Sequence, residues 1–203
     1  MPRSPKTTKR PTWSDVKANL TMMDRVGLIA LIRDLYEVDA LNRRVLHARF
    51  APDGTTIDQY RRLVRAAVFP DPLSQRPIRL RDATATIREY TQATGDVAGT
   101  IDLLLEFVEA GTEQAADLGY GDDAYFTALE RKVKEILRLL DELPNSERRA
   151  LTERIARLGA YEGAIGWGYA DFLADVAAKL RAREDRSSRP RTRRGPRRPV
   201  VGV

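Results

Sequence analysis

Apolar residues recur along this chain at the three- and four-residue steps of amphipathic helices. Leu28, Leu31, Ile32 and Leu35 form one such series behind Asp24, a carboxylate suited to capping a helix N-terminus. Ser14 suits the cap of a shorter helix reaching about Asn19, and Asp39 the cap of a third ending at Phe50, before the turn signal Ala51-Pro52-Asp53-Gly54. Ile57, Tyr60, Leu63, Val64 and Ala67 mark the inward face of a helix over 57–68. Pro70, Pro72 and Pro77 make a loop, because proline lacks the N–H that a helix interior requires. Further helices are predicted over 79–94, 96–118, 122–142, 146–158 and 162–183, punctuated by glycine or by Pro144-Asn145-Ser146.

No segment alternates like a strand, so the fold class is all-α. Short connections favour antiparallel neighbours, paired over 24–50, 57–94, 96–142 and 146–183. Two arrangements satisfy this: an antiparallel bundle of about eight or nine helices, or an irregular helical-hairpin array. No motif recurs at the fixed period of a regular solenoid.

The chain has 203 residues, 42% of them apolar, enough for a core without covalent staples. The expected organisation is a disordered basic segment at 1–12, one helical domain at 13–183, and a disordered Arg/Pro-rich tail at 184–203. With no cysteine, disulfides, thiolate metal sites and cysteine nucleophiles are excluded. The longest apolar run, Val26 to Ile32, lies between Arg25 and Arg33 and falls far short of the roughly 18 residues of a membrane span. The basic, proline-interrupted N-terminus does not read as a secretory signal. A cytoplasmic protein is expected.

Charge is divided unevenly. The net charge is +6, yet nine arginines from Arg181 onward face only Glu184 and Asp185, and Arg3, Lys6, Lys9 and Arg10 crowd the other end. The body from Thr12 to Leu180 is therefore acidic, at −5. Within it, Asp102, Glu106, Glu109, Glu113 and Asp117 step by four, three, four and four, which places all five in one sector of a helix. Leu104, Phe107, Val108, Gly111, Ala115 and Leu118 fill the opposite sector, the expected core face. The acidic stripe is expected to point outward, as a solvated face or a docking surface for a basic protein. A basic patch at 61–81, with Arg61, Arg62 and Arg65 on one helical face, is a candidate internal partner for the stripe or a contact for phosphate.

The tail arginines Arg186, Arg189, Arg191, Arg193, Arg194, Arg197 and Arg198 are candidate nucleic-acid contacts. Guanidinium matches phosphate oxygens in bidentate fashion. Without an aromatic residue the tail has nothing to stack on bases, so contact with DNA or RNA would be electrostatic and salt-sensitive.

Residues 13–50 carry a resemblance. Trp13-Ser-Asp-Val-Lys17, then Leu28-Ile-Ala-Leu-Ile-Arg-Asp-Leu-Tyr36, then Asn42-Arg43 and the closing Ala48-Arg49-Phe50, resemble a family of uncharacterised bacterial all-helical proteins, a domain of unknown function. The resemblance implies an all-α fold and a bacterial cytoplasmic setting, and supplies no catalytic residue.

No enzyme constellation emerges. His47 is the only histidine and lacks the Glu-x-x-His context of bundle metal sites. Asp122-Asp123 reads as a helix cap. Gly163, Gly166 and Gly168 lack the strand and Lys-Ser/Thr of a phosphate loop and read as close-packing positions beside Trp167, Tyr169 and Phe172. The expectation is a non-enzymatic interaction module without cofactor or metal, its tail touching nucleic acid or another polyanion. The alternative is a protein–protein adaptor using the acidic face 102–117, with the tail irrelevant.

Overall fold

The computed structural model describes residues 10–51, 54–161, 165 and 167–188. Among these there are nine α-helices and no strand, so the chain is all-α. Its internal contacts divide it at Thr56 into two compact units, where the sequence reads as one domain over 13–183.

The first unit contains α1 (Trp13–Thr21), α2 (Arg25–Val38) and α3 (Ala40–Phe50). Thr12, rather than Ser14, stands at the start of α1, where its N–H and hydroxyl both donate to Asp15 Oδ2, at 2.7 and 2.8 Å. Asp24 and Asp39 cap α2 and α3 as their sequence positions predict, accepting from the N–H groups of Gly27 and Leu41. Arg43 and Asn42 on α3 donate to the last carbonyls of α2, at Tyr36, Glu37 and Leu35. Tyr36 Oη and His47 Nε2 lie 3.0 Å apart, giving the single histidine a structural partner across the hairpin. Burial here is slight: among residues 10–51 only Ala48 is buried.

The second unit contains α4 (Gly54–Val68) from Ile57 onward, then α5 (Leu80–Thr94), α6 (Val97–Leu118), α7 (Asp123–Leu139), α8 (Asn145–Leu158) and α9 (Trp167–Ser188). It is a helical bundle built around α6, which packs against α5, α7 and α8. Ile101, Leu103, Leu104, Leu105, Phe107 and Val108 are all essentially inaccessible, so α6 is enclosed on nearly every side over its central turns. Thr112 and Tyr169 hydroxyls, 3.0 Å apart, tie α6 to α9. Asp96 caps α6 through Gly99 N–H and also accepts from Tyr90 Oη at 2.7 Å. Gly119 ends α6 at φ 62°, in the left-handed region that glycine enters without a Cβ penalty.

Some expected boundaries move. Residues 140–142 leave α7 for a tighter 3₁₀ turn. The last helix begins at Trp167 and continues to Ser188, so 184–188 are helical where the sequence suggests tail. Gly168 is exposed with open space around its Cα, so it is not a close-packing position, although Tyr169 beside it is core. Gly163 and Gly166 lie outside the described residues. Leu118, expected on the core face, is 51% exposed at the end of α6.

Candidate functional site

The most developed polar constellation lies along α6. The four-three-four spacing that puts Asp102, Glu106, Glu109 and Glu113 in one sector is real, but the sector does not face solvent. Three arginines from two other helices cover it. Arg61 on α4 donates from Nη2 to Asp102 Oδ2 at 2.6 Å and also pairs with Asp58 on its own helix. One turn on, Arg65 donates from Nη1 to Glu106 Oε1 at 3.1 Å and from Nη2 to Glu113 Oε2 at 2.5 Å. Arg154 on α8 clasps Glu109 through Nε and Nη2 and reaches Asp102 with Nη1. Asp102 is thus shared between α4 and α8.

Burial ranks these groups. Glu106 and Asp102 side chains are only 10% and 16% exposed, Glu109 and Glu113 about a third, and Arg154 22%. Carboxylates this enclosed persist as charges only when paired. Hydrogen bonding to Asp102 holds the Arg61 guanidinium above its ordinary basicity. For Arg154 burial works against the charge, and the bonds to Glu109 and Asp102 outweigh it. Arg65 follows the same logic, burial being overcome by Glu113 and Glu106, and its guanidinium also lies 5.7 Å from the Phe69 ring centre. Three guanidiniums on four carboxylates make a structural clamp joining α4, α6 and α8.

The expectation that the acidic face points outward is therefore corrected for its first four members. Asp117, on the last turn of α6, is exposed. Of the basic patch, Arg61 and Arg65 turn onto the stripe, whereas Arg62 points to solvent. Arg154 is absent from the sequence-based candidates. Its position carries a signal nonetheless: Leu151, Ile155 and Leu158 around it are all buried, so it sits on the apolar stripe of α8.

Asp122 is a helix cap, accepting from Tyr125 N–H at 2.8 Å. The backbone of Arg186 belongs to α9, with its side chain outside the described residues. Arg189, Arg191, Arg193, Arg194, Arg197 and Arg198 lie outside the described residues altogether. No helix among the described residues is long and apolar enough to cross a membrane.

In comparison with protein-family models, curated proteins and solved structures, the chain matches none.

Proposed function

We propose that this protein is a non-enzymatic helical interaction module whose Arg-rich sequence after α9 contacts nucleic acid or another polyanion. One observation supports the reading: the clamp on α6. Arg61, Arg65 and Arg154 already answer the four inner carboxylates of the acidic body. The tail arginines are thus not required as counter-ions there. Their charge is available to an external partner rich in phosphate. The same clamp weighs against the adaptor reading through 102–117, since only Asp117 of that face is exposed.

The extension of α9 to Ser188 refines where the tail should be cut. Fluorescence anisotropy with a labelled duplex and a labelled RNA, at two salt concentrations, should compare the full chain with one ending at Ser188. That truncation removes six arginines. Binding to duplex should weaken steeply with salt, with a log–log slope of about −0.9 per phosphate neutralised, and should be lost with the tail. Equal binding by both chains would refute the role of the tail.

A further inference from the structure

The outward side of α7 is basic. Thr127, Arg131, Lys134 and Arg138 step by four, three and four, so they share one sector of the helix, and all four are exposed. Asp123 enters that sector only in the first turn, more than two turns before Arg131. The acids that flank the sector are already occupied: Lys134 Nζ donates to Glu130 at 2.9 Å, and Lys132 Nζ to Glu135 at 3.0 Å. Arg131 and Arg138 have no carboxylate partner among the described residues. A cation near a helix C-terminus offsets the macrodipole, which accounts for Arg138 in the last turn. It does not account for Arg131 in the middle of the helix.

The helix that leads into the tail runs parallel to α7. The Phe126 and Tyr169 rings lie 5.3 Å apart near the two starts, and Lys134 Nζ stands 5.1 Å from the Phe172 ring centre. Further on, Leu137, Leu140 and Asp141 line a small cavity together with Val176, Lys179 and Leu180 of α9. The turns of α9 around Leu180 therefore stand at the Arg138 end of α7. Lys179 pairs with Asp175 there, and Arg181 is exposed with no partner among the described residues. Eight more arginines follow Arg181 in the sequence. Exposed Asp141, Glu142 and Asp171 lie off α7, on the 3₁₀ turn after it and on α9.

We infer that the outward face of α7 is a second contact for a nucleic-acid backbone, with Arg131 and Arg138 as its phosphate ligands. The inference rests on the tail reading for the class of ligand. Guanidinium forks match phosphate oxygens in bidentate fashion. The two arginines are seven residues apart, a span of about 10 Å along the helix, which a few consecutive phosphates of one strand cover. The face formed by Thr127, Arg131, Lys134 and Arg138 has no aromatic or large apolar side chain. It therefore lacks the apolar anchor around which a protein interface is built, and suits a polyanion held by charge. A strand bound along α7 toward Arg138 continues to the place where α9 leads into the tail.

Fluorescence anisotropy of the full chain with labelled duplex DNA, at two salt concentrations, tests this contact. Arg131→Ala combined with Arg138→Ala should weaken binding roughly tenfold at the lower salt and reduce the log–log slope by about one per arginine. Alanine, the best helix former, keeps α7 intact at these exposed positions. Arg88→Ala combined with Arg157→Ala removes equal charge from exposed positions on α5 and α8 and should leave the slope unchanged. Parent-like affinity and slope in the α7 variant, with binding lost on truncation at Ser188, would overturn the α7 contact and leave the tail reading standing. Binding kept on truncation but lost in the α7 variant would support the α7 contact and refute the tail. Equal losses in the two double variants would reduce the effect to net charge and overturn the inference, as would no binding by the full chain at either salt. Displacement of the duplex by polyglutamate as readily as by inorganic polyphosphate would overturn phosphate as the ligand.

Discussion

Arg154 on α8 holds Glu109 on α6 side-on, Nε donating to Oε1 at 3.0 Å and Nη2 to Oε2 at 2.6 Å. The planar guanidinium fork matches the carboxylate and so fixes orientation as well as charge. Its remaining nitrogen reaches Asp102, seven residues earlier. One side chain therefore spans two turns of the central helix.

Arg154→Ala would leave the partly enclosed Glu109 without its counter-ion and Asp102 with Arg61 alone. Residual exposure softens the penalty of a fully buried unpaired charge, so a loss of about 2–3 kcal/mol is expected. Arg154→Lys keeps the charge but loses the fork, and should cost about 1 kcal/mol. Urea unfolding followed by circular dichroism would order the three proteins. Equal midpoints would remove the clamp from the account of stability.

Position along α6 should matter more than residue type. Glu106→Gln removes the charge facing Arg65 in a nearly closed environment, and about 1–3 kcal/mol should be lost. Asp117→Asn, in the same sector but exposed, should fall within about 0.5 kcal/mol of the parent. Similar losses at both positions would contradict the gradient of enclosure seen along the stripe.

The sequence pattern shows that these acids share a face, because periodicity reports which residues point the same way. It does not report what lies opposite. The covering arginines are 41 to 52 residues distant from the acids they meet, and only packing brings them there. Helix existence and the caps at Asp24, Asp39 and Asp122 are local properties and were legible. The division at Thr56 was not, since Leu28 and Leu31 follow the same three- and four-residue steps as a core helix whether or not a core covers them. Residues 184–188 read as tail from their charge, yet neighbouring Leu180 is buried and the helix continues through them.

Alkaline pH should destabilise the second unit. Burial pushes the phenols of Tyr90, Tyr125 and Tyr169 well above the ordinary value of about 10. The folded protein thus keeps protons that the unfolded chain releases. Their stabilising effect is complete below about pH 10 and declines as pH rises toward the folded values. Unfolding midpoints measured from pH 8 to pH 11, roughly the range spanning the free phenol value, should fall only in the upper part. Tyr169→Phe should flatten that fall. A midpoint constant across the range would be incompatible with these burials.

Two glycines should respond with opposite signs. A Cβ at Gly111 would stand 2.5 Å from Leu129 Cδ2, so the fully buried Leu129 side chain would have to shift. Tyr125 Oη also donates to Gly111 O at 2.8 Å, fixing the approach of α7 to α6. Gly111→Ala should therefore cost about 1–3 kcal/mol of packing strain, less about 1 kcal/mol of helix propensity. Gly168→Ala, in open space, should stabilise by about 0.5 kcal/mol. Thermal melts of the two variants should move in opposite directions.

The carboxylates on α6 have a second consequence before the bundle exists. This helix holds Leu103-Leu104-Leu105 and Phe107-Val108, an apolar density that invites aggregation while the chain is incomplete. Asp102, Glu106, Glu109 and Glu113 interrupt that density as charged gatekeepers. During synthesis Arg61 and Arg65 precede them, but Arg154 emerges 45 residues after Glu109 and 52 after Asp102. Until then the acidity that finally becomes internal glue keeps the most apolar helix of the second unit in solution.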